Sequence, residues 1–151
     1  MKYEIGKERI YNKEYEKMGC KSVVRWDVLE IEKEQDVYLE FLSTNSKYKQ
    51  GIRLAIDVGE GYIEVNDVQS KIIHLWEDTC PKSVKLKCIS SEGKLSIYNI
   101  FDMGAERGGF RSQMDSSGML VELNDGYIVY RCNDAGFKTD FNSLEFRIKL
   151  L

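Results

Sequence analysis

From about residue 22 onward, apolar and polar residues alternate with a period of two along most of the chain. Val37, Leu39 and Phe41 alternate with Tyr38 and Glu40, and Ile52, Leu54, Ile56 and Val58 with Arg53, Ala55 and Asp57. Val84, Leu86 and Cys88 alternate with Lys85 and Lys87. Leu144, Phe146, Ile148 and Leu150 alternate with Glu145, Arg147 and Lys149. Successive side chains of a strand point to opposite faces, so each pattern predicts one oily and one wet face. Parallel sheets would instead read as continuous apolar runs separated by long amphipathic helices, and the chain has neither. The connections are short and carry turn residues. Gly59-Glu60-Gly61 separates two strands, and Asn124-Asp125-Gly126 predicts a tight hairpin because Asp-Gly tolerates positive φ. Ser91-Glu92-Gly93 is expected to turn VKLKCIS back onto KLSIYNIF, and Pro81 stands just ahead of a strand.

Two segments depart from the alternation. Tyr11, Tyr15 and Met18 fall at helical spacing ahead of Gly19, which predicts one short N-terminal helix. In VVRWDVLEIEK, Val24, Trp26 and Val28 share one face before the apolar phase slips to Leu29 and Ile31, which predicts a β-bulge near Val28. No repeat or linker divides the chain. The expected fold is therefore all-β, a single domain over residues 1–151. It is either an antiparallel two-sheet sandwich of jelly-roll type or a closed barrel.

The chain has 151 residues, 42% of them hydrophobic and 31% charged, which is globular composition, and it is long enough to need no disulfide or metal staple. A net charge of −3 gives no electrostatic reason for a nucleic-acid partner. No apolar run is long enough for a transmembrane helix. The N-terminal stretch MKYEIGKERIYNKEYEKMG carries charges where a secretory signal needs an apolar core, so a cytoplasmic protein is expected. Cys20, Cys80, Cys88 and Cys132 are dispersed, His74 is the one histidine, and no metal or cofactor is expected. The thiols are read as inert.

The densest polar stretch, residues 98–117, reads YNIFDMGAERGGFRSQMDSS and is expected to be a long loop, either a functional one or a flexible, solvated hairpin connection. It lacks the Gly-Lys-Ser/Thr of a P-loop, although Arg107 and Arg111 could fork onto a carboxylate or phosphate of a partner. Tyr98, Phe101, Asp102, Glu106, Arg107, Phe110 and Arg111 are the candidate partner-binding residues, because aromatic residues and arginine dominate interface hot spots. No catalytic residue is assigned. His74 in KIIHLWED lacks any motif that would supply a nucleophile and an orienting carboxylate, and is read as packed or surface-lying. Asn133, Asp134, Asp140 and Asn142 lack EF-hand spacing and are read as turn formers.

The strings YNIFDMG, SGMLVE, YRCND and FNSLEFRI resemble a small bacterial all-β family with the pattern Y-N-x-x-D … S-G-M-x-V-E … Y-x-C-N-D … F-x-x-L-x-F-R-I. The likeness spans roughly residues 70–151, with HLWEDTCP as a further match, and rests on Tyr98, Asn99, Asp102, Ser117, Gly118, Met119, Glu122, Tyr130, Cys132, Asn133 and Asp134. It implies a cytoplasmic single domain without an assigned reaction, similar in style to immunity proteins that neutralise secreted toxins. The leading expectation is thus a non-enzymatic protein-binding module of immunity type, steered by its acidic charge onto a basic protein partner. Two alternatives stand beside it. One is a carbohydrate- or small-ligand-binding sandwich using Trp26, Trp76, Tyr62 and Tyr127 as platforms. The other is a hydrolase drawing on His74, Asp78, Asp102 and Asp134. The oligomeric state is left open.

Overall fold

A computed structural model describes residues 5–151. The strands in chain order are β1 (Ile10–Tyr11), β2 (Val24–Glu30), β3 (Glu34–Thr44), β4 (Lys49–Ala55), β5 (Gly61–Val65), β6 (Val68–Ser70) and β7 (Ile72–Trp76). They continue as β8 (Ser83–Ser90), β9 (Lys94–Asp102), β10 (Phe110–Ser112), β11 (Gly118–Asn124), β12 (Tyr127–Asn133) and β13 (Leu144–Leu150). Helix α1 (Lys13–Lys17) and a 3₁₀ turn (Ala105–Arg107) are the helical elements among the described residues. All pairings are antiparallel, in the order β6-β5-β8-β3-β13-β12-β11-β2-β9-β4-β7, with β1 on β2 and β10 on β9. The sheet curls into a nearly closed barrel, so the all-β antiparallel expectation holds.

Alternation explains most of the core. Val37, Leu39, Leu86, Cys88, Phe146 and Ile148 point inward and are buried, with Ile52, Leu54 and Ile97 facing them from the β9–β4 side. Asp125 (φ 54°) and Gly126 (φ 82°) make the two-residue turn that joins β11 to β12, with Asn124 opposite Tyr127. This is the primed geometry that matches strand twist. Gly118 lies where a Cβ would collide with Val23 Cγ1, so the close passage of β11 past that residue requires glycine.

Several expectations are corrected. Ser91-Glu92-Gly93 does not make a hairpin: β8 pairs with β3 and β5, while β9 pairs with β2, β4 and β10. The connection carries the chain from one wall of the barrel to the other. The phase slip in β2 occurs at Arg25 rather than near Val28, because Ile10 and Tyr11 pair with Trp26 and Val24 and leave Arg25 as the extra residue. Beyond it, Asp27 and Leu29 face inward. The predicted helix is a single turn of which only Tyr15 is buried; Tyr11 and Met18 are exposed. Asn12 caps it, its side-chain oxygen accepting from the Glu14 and Tyr15 N–H groups at 2.9 and 3.1 Å. The polar stretch 98–117 is largely strand: Tyr98–Asp102 belong to β9 and Phe110–Ser112 fold back on it as β10, leaving Met103–Gly109 as the tip.

The outer faces of the two walls differ. On the wall formed by β8, β3, β13 and β12 the outward residues are mostly charged. Arg147 donates to Glu40 at 2.7 Å and lies 3.9 Å above the Tyr127 ring, and Arg131 donates to Glu122 at 3.0 Å. On the wall formed by β2, β9, β4 and β7 the outward residues include Trp26, Gly51, Arg53, His74, Trp76, Tyr98 and Ile100. Strand β4 is consequently buried on both faces, and Arg53 and Ala55 are not the wet positions that alternation predicts.

Candidate functional site

The aromatic outer face is assembled by register. Arg53 of β4 stands opposite Tyr98 of β9 on one side and His74 of β7 on the other, and paired residues of antiparallel strands share a face. Arg53 is held in two ways. Its guanidinium donates to both Asp57 oxygens, at 3.0 and 2.9 Å, and lies 5.3 Å from the Trp26 ring and 5.0 Å from the Tyr98 ring. Trp26 and Tyr98 meet at 4.8 Å. Burial alone would raise the Asp57 carboxyl, but the bonds from Arg53 win and hold it below the usual carboxylate range. Burial, and after it the charge of the same arginine, lowers His74 below its ordinary value and favours the neutral imidazole.

The second half of the face is built on Phe110. This residue is 43% exposed and stacks on His74 at 5.3 Å with an 18° interplanar angle. It also meets Trp76 edge-on at 5.8 Å. Trp76 lies over Gly51, where a Cβ would come within 2.8 Å of the ring, and Lys49 Nζ sits 5.1 Å from the Trp76 centroid while pairing with Asp78 at 3.5 Å. The hairpin tip that presents Phe110 is internally tied. Asp102 Oδ1 accepts from Gly104 N–H at 2.8 Å, Met103 N–H donates to Gly109 at 2.9 Å, and Gly109 N–H donates to Gly104 at 2.8 Å. These bonds hold Glu106, Arg107 and Arg111 out in solvent. Arg111 folds over Gly108, and Arg107 lies 3.5 Å from the Tyr48 hydroxyl.

Of the seven sequence-predicted partner-binding residues, Glu106, Arg107, Phe110 and Arg111 are exposed and Asp102 is half-buried; the β9–β10 register sets Phe110 with Asp102 on the outer face and Arg111, opposite Phe101, on the other. Tyr98 and Phe101 are corrected as anchors. Both lie inside β9, where Tyr98 is buried beneath Arg53 and Phe101 points into the core beside Tyr48 at 6.5 Å. Sequence reasoning missed Lys49 and Arg53, and it treated His74 apart from Phe110. Only the β4–β7 and β9–β10 registers bring these residues together.

The acidic residues weighed for hydrolysis do not converge with His74. Asp78 pairs with Lys49, Asp102 caps the tip, and Asp134 is fully buried elsewhere. Among the described residues no group of three or more His, Cys, Asp or Glu side chains is placed to hold a metal ion. Asn133 and Asp134, read as turn formers, are instead the centre of a buried network. Asn133 Nδ2 donates to Ser116 O at 2.8 Å and Gly136 O at 2.6 Å, and Asn99 donates to Asn133 O at 3.0 Å. Asp134 accepts from Ser46, Gln50, Ala135 N–H and Lys138, while Ser117 Oγ donates to its carbonyl at 2.7 Å. Much of the motif noted in the sequence is thus a device that locks β4, β9, β11 and β12 together.

Comparison of the chain with protein-family models, curated proteins and solved structures returns no match. The geometry itself defines the class: a small antiparallel β-barrel-like protein whose one unusual surface is an aromatic, arginine-clamped outer sheet face.

Proposed function

We propose that the protein is a non-enzymatic protein-binding module, of the immunity-inhibitor type, that engages its partner through the Phe110 hairpin and the face beneath it. The observation that carries this reading is Phe110, a large apolar side chain exposed at a tied tip and braced by His74 and Trp76. An exposed aromatic anchor braced by further aromatic rings is the composition of an interface hot spot. Lys49 and Asp102 share the outer face with Phe110 by register and Asp78 pairs with Lys49, so the surroundings of the anchor carry both signs and serve orientation. The net charge of −3 supplies long-range attraction toward a basic partner.

The test is isolation of a stoichiometric protein partner from the native host, followed by titration with Phe110→Ala and with the double variant Arg107→Glu/Arg111→Glu. Loss of a hot spot weakens binding by about 2 kcal/mol or more, roughly thirtyfold. Unchanged affinity of both variants refutes the assignment of this face. The half-exposed Trp26 and Trp76 on the same face support a second reading, carbohydrate binding. Saturable binding to a glycan array that is lost in Trp76→Ala selects that reading instead.

A further inference from the structure

The barrel is not fully closed, and its seam is a built slot. The phase of the β4–β7 ladder is fixed at its ends, where Ile56 N–H donates to Lys71 O and Glu77 N–H donates to Gln50 O. Ile73 and Leu75 therefore bond to β4, and the main-chain groups of His74 point away from it, along the free edge of β7. On β8, Phe41 N–H donates to Lys82 O and Ser90 N–H donates to Lys33 O, so even-numbered residues bond to β3. β5 covers the other edge of β8 only from Lys87 onward, which leaves the main-chain groups of Ser83 and Lys85 uncovered. Between these two free edges lies a cavity of about 430 Å³. Its apolar part is Val65, Leu75 and Val84, with Trp76 as one wall. This volume suits a small molecule, and the two strand edges converge polar groups on an otherwise apolar space.

The lining has a definite electrostatic character. Among the described residues that form it, no Asp or Glu is present, and Lys85 is the one ionised side chain. His74 adds an imidazole, and Thr79 and Ser83 add hydroxyls. An apolar body in the slot therefore has a cation and hydrogen-bond donors at its rim and no carboxylate in the lining itself, while Asp36, Glu64 and Asp67 share the adjoining cavity with Lys85.

We propose that the seam between β7 and β8 binds a small amphiphilic carboxylate, its hydrocarbon or aromatic body against Leu75, Val84 and Trp76 and its anionic head at Lys85. The site is separate from the exposed face of Phe110, but His74 and Trp76 belong to both. Strand β7 shows its edge to the slot and its outer side chains to the hairpin.

The experiment uses decanoate, 1-decanol and decylamine below their aggregation concentrations. Binding is followed by tryptophan fluorescence in a Trp26→Phe background, where Trp76 is the one remaining tryptophan. Decanoate is expected to bind one-to-one and saturably, about tenfold tighter than decanol, with decylamine weaker still. Lys85→Met should bring decanoate down to the level of decanol, and Ser83→Phe should abolish binding of both. Ser83 and Lys85 are exposed, so both variants are expected to keep the wild-type circular dichroism spectrum. The proposal is overturned by equal binding of the three head groups, by decanoate binding that survives Ser83→Phe, or by no saturable decanoate binding.

Discussion

Asp134→Asn tests how a buried charge holds this fold. No part of Asp134 is exposed, and both of its carboxylate oxygens are occupied. Oδ2 accepts from Ser46 Oγ at 2.5 Å and from Gln50 Nε2 at 2.9 Å, and Oδ1 accepts from Ala135 N–H at 2.6 Å and from Lys138 Nζ at 3.2 Å. An asparagine has the same shape but one acceptor oxygen. Either orientation of its amide sets an N–H₂ group against donors, with Gln50 on one side or Ala135 and Lys138 on the other. Hydrogen bonds to a charged group contribute about 1.5–3 kcal/mol, and the expected loss is of that order. In a domain of this length that lowers Tm by roughly 5–10 °C. The loss must also depend on pH. Burial would raise the Asp134 carboxyl, but the bonds from Ser46, Ala135 and Lys138 prevail and hold it below its ordinary value. A group depressed in the folded state stabilises above its unfolded pKa, near 3.9, and loses that contribution as pH falls through the folded value. Urea unfolding of both proteins from pH 7 down to the acid limit of folding should therefore show a gap that narrows below about pH 4. A gap of the same size at every pH, or a more stable asparagine variant, refutes the reasoning.

Three further outcomes follow from the packing. Gly118→Ala places a methyl against Val23 Cγ1 in a buried passage and should destabilise by about 1–3 kcal/mol in chemical denaturation. Phe110→Ala removes a half-exposed ring and two ring contacts, so its thermal unfolding should shift by only a few degrees, corresponding to about 1 kcal/mol. Burial pushes the Cys88 thiol up to about 12 and Cys132 well above the usual range. Neither should react with a disulfide reagent at pH 8 in the native protein, and both should react after unfolding.

The parts of the fold legible in the sequence are those where one face of a strand meets water. In β3 and β13 the inward residues Val37, Leu39, Phe146 and Ile148 alternate with Tyr38, Glu40, Arg147 and Lys149, and the structure keeps that division. The Asn124–Gly126 turn was equally readable, because positive φ restricts its residues so strongly. Alternation fails in β4 and β9, where both faces are covered. Ser91-Glu92-Gly93 carries turn chemistry, but turn chemistry does not say which strand the chain rejoins, and here it changes walls.

The candidate site was hidden for a related reason. Arg53 alternates with apolar residues as a solvent-facing arginine would, and nothing local distinguishes it from Arg147, which does lie on a wet face. What separates them is their neighbours across the ladder. Arg147 has Glu40 and Val129 beside it on a charged wall, whereas Arg53 has Tyr98 and His74 beside it, and Trp26 over its plane. A guanidinium can serve both surroundings, as an ion-pair partner in water or as a stacked plate beneath aromatic rings. The second arrangement requires a carboxylate to satisfy its donors as it is desolvated, and Asp57, four residues on, supplies it. With its charge paired and its faces covered, Arg53 becomes part of an apolar layer on which His74, Trp76 and Phe110 can rest. An outer sheet face of this kind has no solvation reason to carry rings, and burial of the barrel interior does not need them. The recognition role proposed above would account for their placement, which is why the exposed Phe110 rather than the buried motif residues carries that proposal.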